Sequence, residues 1–169
     1  MKKTIKTIAL LSLTAFVIAW KGDEKKTEST GAETPSATET TTSENTVFAL
    51  TIEGNDQMQF NKNELKVPVG EPIELTLKHV GKMAKEVMGH NFVLLDKGVD
   101  FNAFATEAST AKDNDYLPED TSGVIVHTAM LGGGESETVT FTIHEAGTYD
   151  FLCSFPGHYA MMKGVLIAE

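Results

Sequence analysis

The only cysteine of the chain, Cys153, begins a short loop that also carries a histidine and two methionines. Four residues separate Cys153 from His158, and three more separate His158 from Met162. Pro156 and Gly157 lie between the cysteine and the histidine, and this pair lets the backbone reverse sharply. The loop therefore brings a thiol, an imidazole and a thioether together, and the rest of the chain has to fold around that cluster.

A second histidine for the cluster lies far upstream, at His90. Taken alone, a cysteine in a strand is usually a small buried hydrophobic residue, and a single histidine is often a core residue. The spacing of Cys153, His158 and Met162 favours a metal site over both interpretations. Two imidazoles, a thiolate and a weak thioether are the ligand set of a blue-copper centre, which is suited to one-electron transfer. Zinc competes for cysteine and histidine but does not seek methionine. We therefore expect a site for one copper ion.

The residues beside these ligands fit the same interpretation. Gly89 has no side chain, so its carbonyl can approach a metal closely, and Asn91 can join the two ligand loops through hydrogen bonds. Met161 and Met162 are consecutive, so only one of them can face the metal, and the residues alone leave that choice open. His158 would present one ring nitrogen inward and one ring edge outward, which gives an electron a short route to the surface.

Residues 46–169 have the pattern of an all-β domain. Short alternating segments rich in Val, Ile, Thr and Phe are separated by Gly, Pro or Asn-Asp clusters, and they predict a sandwich or barrel of about eight strands. The predicted strands are 48–53, 65–69, 73–77, 90–95, 123–130, 137–143, 148–153 and 164–168. Residues 97–121 interrupt this pattern, and their alanines and phenylalanines predict a short helical flap.

The N-terminus is typical of an exported protein. Lysines precede an apolar stretch that is too short to span a bilayer comfortably, so we expect residues 1–19 to be a signal peptide. It is similar to a lipoprotein signal, but Trp20 stands where the lipidated cysteine belongs. Residues 20–45 are mostly Thr, Ser, Glu, Lys, Gly and Ala, a composition that predicts a flexible linker. The sequence thus predicts a periplasmic protein, either free or held at the membrane through its N-terminus.

The predicted domain is strongly acidic. Residues 46–169 contain eight lysines and eighteen acidic residues, which accounts for the whole net charge of −10. This excess argues against nucleic acid as a partner and favours neutral or basic partners. A single cysteine in an exported chain cannot form an internal disulfide, so it needs another role.

Residues 46–169 resemble the azurins, which are bacterial cupredoxins. The similarity lies in Ile52–Asn61, in Val87–Asn91, in Val124–Thr128 and in the spacing of the Cys153 loop. It implies a Greek-key cupredoxin sandwich and a type 1 blue-copper centre that transfers single electrons and catalyses no reaction. It also implies redox proteins as partners, such as c-type cytochromes or copper and haem reductases.

The resemblance further implies a role for each residue of the site. The equatorial ligands would be His90, Cys153 and His158, with Met162 as the axial ligand and the Gly89 carbonyl opposite. Asn91 would brace the ligand loops, and backbone amides near Asn91 and Phe155 would donate to the sulfur. An apolar docking patch would surround His158, formed by Met58, Met83, Met88, Phe155, Pro156, Ala160 and Met161.

The chain departs from the azurins in two places. The azurin disulfide is absent, with Phe48 and the Gly70 region in its place, and Phe92 stands where azurins often have tryptophan. Both departures bear on stability and neither affects a ligand. His79 and His127 match azurin histidines that bind no metal.

Two other functions compete with electron transfer for a copper-binding chain. A copper buffer or delivery protein would use an open, exchangeable site. An enzyme of the multicopper oxidase kind would need a second copper site, for which five histidines in the whole chain leave no ligands.

Overall fold

The computed structural model describes residues 47–169, which contain nine β-strands and two short α-helices. The strands are β1 (Phe48–Asn55), β2 (Gln59–Phe60), β3 (Glu64–Val67), β4 (Pro72–His79), β5 (Val93–Leu95), β6 (Val124–His127), β7 (Ser136–Thr142), β8 (Gly147–Leu152) and β9 (Lys163–Ala168). The helices are α1 (Lys85–Met88) and α2 (Phe101–Ala108), with 3-10 turns at Lys112–Asn114 and His158–Ala160. The predicted signal peptide (1–19) and linker (20–45) lie outside the described residues and stay predictions.

Two sheets form the sandwich, which confirms the predicted all-β fold. One sheet has the strand order β2-β1-β4-β7, and the other has the order β3-β9-β8-β5-β6. The pairs β1–β4 and β3–β9 are parallel, and the others are antiparallel. Alternation along β4 shows how the sequence directs this packing: Ile73, Leu75 and Leu77 are fully buried, whereas Glu74 is exposed.

The interruption at 97–121 is the predicted helical flap. Asp100 caps α2 by accepting hydrogen bonds from the amides of Asn102 and Ala103 at 2.9 and 3.0 Å. The buried face of α2, which includes Phe104 and Ala108, packs on a separate apolar cluster against β5 and β8. No helix within the described residues is long and apolar enough to cross a membrane.

Two predicted strands are clearly shorter than expected, and one of them, 123–130, is a strand only at Val124–His127. The segment 90–95 is paired as a strand only from Val93, because His90 makes a single bridge to Leu131 instead. His90 donates its amide to the Leu131 carbonyl at 3.0 Å, and Leu131 donates back at 2.8 Å. This bridge lies at the end of the sandwich where β1, β4 and β8 end and β9 begins, and the candidate site lies there too.

Candidate metal centre

The loop from Cys153 to Met162 connects β8 to β9 and closes on itself. The Cys153 amide donates to the Met162 carbonyl at 2.9 Å, which extends the pairing of the two strands by one step. The His158 amide donates to the Phe155 carbonyl at 3.0 Å across a turn with Pro156 second and Gly157 third. Gly157 has φ of +82°, the left-handed value that the third position of a type II turn requires.

The upstream ligand loop is positioned by a glycine that has no room for a side chain. A Cβ on Gly89 would lie 2.6 Å from the Lys85 carbonyl oxygen and 2.8 Å from Cγ of Met130. The backbone of Gly89 is otherwise ordinary, with φ of −64°. Close packing therefore requires glycine here, and it holds α1 against the segment that carries His90.

Three side chains converge between the two loops. Sγ of Cys153 lies 3.6 Å from Nδ1 of His158 and 3.9 Å from Nδ1 of His90, and all three residues are buried. Trigonal bonds of about 2.3 Å to sulfur and about 2.0 Å to nitrogen would place these atoms about 3.7 Å apart. The spacing therefore fits one metal ion between them, and the thiolate–imidazole donor set suits copper.

His90 is fixed by several contacts around its ring. Its Nε2–H donates to the Asn55 carbonyl at 2.8 Å, which leaves Nδ1 free to face the sulfur. The ring of His79 stacks on it at 4.2 Å between centroids, with 23° between the planes. A Cβ on Gly54 would lie 2.8 Å from Cδ2 of His90, so the β1 backbone also packs directly on the ring.

His79 is held in one orientation by two hydrogen bonds. Its Nε2–H donates to the Met88 carbonyl at 2.7 Å, and its Nδ1 accepts from the Gly81 amide at 3.1 Å. Because an acceptor nitrogen carries no proton, both ring positions are assigned. His79 thus joins β4 to the loop before His90.

His158 is held less tightly than His90. It is 3% exposed and packs against Phe155 at 4.6 Å between ring centroids. Among the described residues its Nε2 has no hydrogen-bond partner, and no fully buried side-chain nitrogen or oxygen lacks one. This ring nitrogen therefore reaches solvent.

Burial keeps the copper-free cluster uncharged. It raises the pKa of the Cys153 thiol to about 12, although amides of Asn91 and Phe155 donate to the sulfur and act in the opposite direction. Burial lowers the pKa of His158 to about 4, with smaller contributions from His90 and His79, and it also lowers the pKa of His90. A metal ion that binds here at neutral pH must therefore displace the thiol proton.

Asn91 lies between the two ligand loops. Its side-chain amide donates to Oγ of Ser154 at 2.8 Å, and its oxygen accepts from the Ser154 amide at 2.8 Å. Both residues are buried, so each would leave an unpaired polar group if the other were removed. The pair fixes the separation of the residues next to His90 and Cys153.

The two consecutive methionines are separated by burial. Met162 is fully buried, whereas Met161 is 58% exposed. The terminal Cε of Met162 lies 3.3 Å from the position that a Cβ on Gly54 would occupy, beside the His90 ring. The Gly89 carbonyl oxygen lies 3.8 Å from Sγ of Cys153.

The members of the predicted docking patch differ in exposure. Its exposed members are Met83, Pro156, Ala160 and Met161, and its half-buried members are Met58, Met88 and Phe155. Sequence reasoning missed the exposed Val80, in the loop after β4, and the exposed Val87, in α1. It also gave no role to Gly54, Asn55 or Ser154. Gly54 and Asn55 lie in a stretch that resembles the azurins, and Ser154 directly follows Cys153. Their positions in the sequence were therefore the only indication that they belong to the site.

Comparison with known proteins agrees with this geometry. The family model of copper binding proteins, plastocyanin/azurin family, matches residues 46–169. Azurin-1 of Alcaligenes xylosoxydans xylosoxydans is 43% identical over 122 residues, which cover 70% of this chain and 95% of that protein.

Two solved structures are similar in fold as well as in sequence. The auracyanin of the photosynthetic bacterium Roseiflexus castenholzii, in its dithionite-reduced form, has a TM-score of 0.65 and 39% identity. It covers 72% of this chain and 96% of its own. An azurin of Methylomonas sp. strain J has a TM-score of 0.66 and 33% identity, and covers 72% and 98% of the two chains.

Proposed function

Because the chain belongs to the plastocyanin/azurin family of copper-binding proteins, we propose that it is a type 1 blue-copper electron carrier. It takes one electron from one redox protein of the cell envelope, passes it to another, and makes or breaks no covalent bond in either. The observation that carries this proposal is the approach of the Cys153 sulfur to two imidazole nitrogens, at 3.6 and 3.9 Å, in a buried cluster.

The residues of the site hold the metal in a fixed environment. His90, Cys153 and His158 would hold it as the main ligands, and the Met162 thioether and the Gly89 carbonyl would be weaker donors. When bound, copper supplies a one-electron couple between Cu(II) and Cu(I). The hydrogen bonds of Asn91 and Ser154 and the packing of His79 keep the ligand atoms in place, so little rearrangement accompanies a change of charge.

Electrons leave through the accessible edge of His158. The apolar docking patch around that edge favours contacts that form and dissociate quickly, as small transient interfaces do. Partners of this kind include c-type cytochromes and copper or haem reductases, and the export signal favours a periplasmic location.

A visible absorption spectrum of the full chain, titrated with Cu(II), tests the proposal. We expect an intense red band that saturates at one copper per chain and is bleached by a reductant. Cys153→Ser should abolish the band, whereas the matched control Met161→Leu should leave it unchanged. A colourless wild-type protein, or a band indifferent to Cys153→Ser, would overturn the electron-carrier function.

The copper off-rate separates this function from copper buffering. The fully buried thiolate is enclosed by both ligand loops, so we expect release to take much longer than electron exchange. Rapid loss of copper to a chelator in solution would favour delivery of the ion instead.

A further inference from the structure

We propose that the Asp56 carboxylate is a positioning residue for the ligand His90, because it joins the tip of the β1–β2 hairpin to the loop that follows β4. It acts through backbone groups that contact or orient the rings beside the metal, and not by binding the metal itself. This role rests on the electron-carrier function proposed above, because it concerns the orientation of a metal ligand.

The carboxylate connects two segments that are distant in the sequence. Oδ2 of Asp56 accepts from the Lys82 amide at 2.8 Å, and Oδ1 accepts from the Met83 amide at 3.3 Å. Hydrogen bonds to an ionised acceptor are stronger than those between neutral groups. The Lys82 amide does most to hold the pKa of the Asp56 carboxyl below its ordinary value, so the acceptor is ionised at neutral pH.

The loop after β4 packs closely on this carboxylate. A Cβ on Gly81 would overlap Oδ1 of Asp56 and would lie 2.7 Å from Cε1 of His79. The position therefore requires glycine, whose backbone can approach both groups. The Gly81 amide also donates to Nδ1 of His79 at 3.1 Å. A shift of this loop away from Asp56 would therefore also disturb the orientation of the His79 ring.

The hairpin depends on a link of this kind. β2 has two residues and pairs with β1 at two positions, and so short a pairing is weak by itself. The Asn55 carbonyl nevertheless has to accept the hydrogen bond from Nε2–H of His90 at 2.8 Å. That carbonyl and the Asp56 nitrogen belong to one planar peptide group. Anchoring of the Asp56 side chain therefore restrains the direction in which the Asn55 carbonyl points.

The two effects act on the same ring. His79 stacks on His90 at 4.2 Å between centroids, and the Asn55 carbonyl holds Nε2 of His90. Asp56 is bonded covalently to Asn55 and by two hydrogen bonds to the loop that orients His79. Removal of the carboxylate would therefore loosen both supports of His90. The downstream ligand loop is closed by its own hydrogen bond, from the amide of Cys153 to the carbonyl of Met162.

Asp100 provides a matched control within the same domain. It also accepts from two backbone amides, those of Asn102 and Ala103, at 2.9 and 3.0 Å. Its replacement by alanine removes as many hydrogen bonds as D56A, but they lie at the start of α2 and lead to no ligand. Both variants should lose stability, and only D56A should change His90.

Hydrogen exchange of Nε2–H of His90, followed by NMR in the copper-free full chain, tests this role without the metal. We expect exchange on the order of tenfold faster in D56A than in the wild type, and no change in D100A. D56N keeps an oxygen for the shorter bond to the Lys82 amide, so we expect a smaller increase. D56N also provides the test if D56A does not fold.

The visible spectrum and the reduction potential of the copper-loaded variants give a second readout. The red band should shift in D56A, shift less in D56N and stay unchanged in D100A. Because D56A and D56N lose the same charge, the two variants separate positioning from electrostatics. An equal change of potential in both, with the exchange of His90 unaltered, would assign the effect to charge and overturn the positioning role.

Two further outcomes would overturn it. The first is a loss of unfolding free energy in D56A with the exchange of His90 and the copper spectrum as in the wild type. The second is equal acceleration of exchange in D56A and D100A, which would reflect general destabilisation. Since the exchange measurement needs no copper, failure of the Asp56 role and failure of the electron-carrier function are told apart.

Discussion

The two ligand histidines differ in how the fold holds them. His90 is fully buried, its Nε2 is bonded to Asn55, and its ring is stacked on His79. His158 has a solvent-accessible ring nitrogen without a partner among the described residues and packs on the half-buried Phe155. If the protein carries electrons as proposed, this difference would separate two tasks: the upstream loop would fix the metal position, and the downstream loop would give electrons access to the surface.

Replacement of each histidine by glycine should give the largest contrast. Both His90→Gly and His158→Gly should lose the red absorption of the copper protein. Added imidazole should restore the band in His158→Gly, because solvent reaches that position, but not in His90→Gly, where His79 and Gly54 close the space. Equal restoration in titrations of the two variants would show that the rings are equally accessible.

Copper binding should depend steeply on pH. Burial raises the pKa of the Cys153 thiol to about 12 and lowers the pKa of His158 to about 4. Between these values the copper-free site holds one displaceable proton, so copper affinity should rise about tenfold per pH unit. Below about pH 4 copper must also displace a proton from His158, so copper affinity should depend on pH more steeply.

Proton release in weakly buffered solution measures this directly, with one proton expected per copper at neutral pH. Cys153→Ser serves as the control and should release none. Release of two protons near pH 7 would show that an imidazole is charged in the copper-free protein.

Asn91→Ala should remove the link between the two loops. The buried Ser154 amide would lose its acceptor, and we expect a loss of about 2–3 kcal/mol in the free energy of unfolding. Ser154→Ala keeps the backbone bond and leaves only one N–H of the Asn91 side-chain amide without its acceptor, for a smaller loss of about 1 kcal/mol. Denaturant unfolding of the two copper-free variants tests this order. Equal losses of unfolding free energy in the two variants would contradict it.

Two glycine substitutions should give modest losses of stability and the most selective effects on the copper spectrum. Gly54→Ala places a methyl group against the His90 ring, so we expect a loss of about 1–3 kcal/mol and a changed copper spectrum. Gly157→Ala meets open space and costs about 1–2 kcal/mol through its positive φ alone.

The spectrum of Gly157→Ala should therefore stay close to that of the wild type. Denaturant midpoints and visible spectra of the two variants, measured together, provide the test. A larger spectral change in Gly157→Ala than in Gly54→Ala would mean that the downstream loop, and not His90, fixes the metal position.

The sequence predicted the site best where its residues are close together along the chain. The loop from Cys153 to Met162 supplies three predicted ligands from one stretch, so their spacing could be recognised without knowledge of the fold. The choice between the two methionines needed the pairing of β8 with β9, which buries Met162. The contacts of Gly54 and Asn55 with His90 depend on the parallel pairing of β1 with β4. The alternation of apolar residues along a strand does not predict which strands pair.

Short elements were also beyond sequence reasoning. β2 has two residues and α1 has four, too few for a repeating pattern, and α1 has no side-chain cap.

The direction of the strands determines how the domain can be mounted on a surface. β1 and β4 run toward the ligands and β9 runs away from them, so Phe48 and Glu169 line a groove at the opposite end. The length of β9 puts Glu169 about 20 Å from the start of that strand. A domain fixed to an electrode at Phe48 or at Glu169 would therefore present the end that carries His158 to the solution.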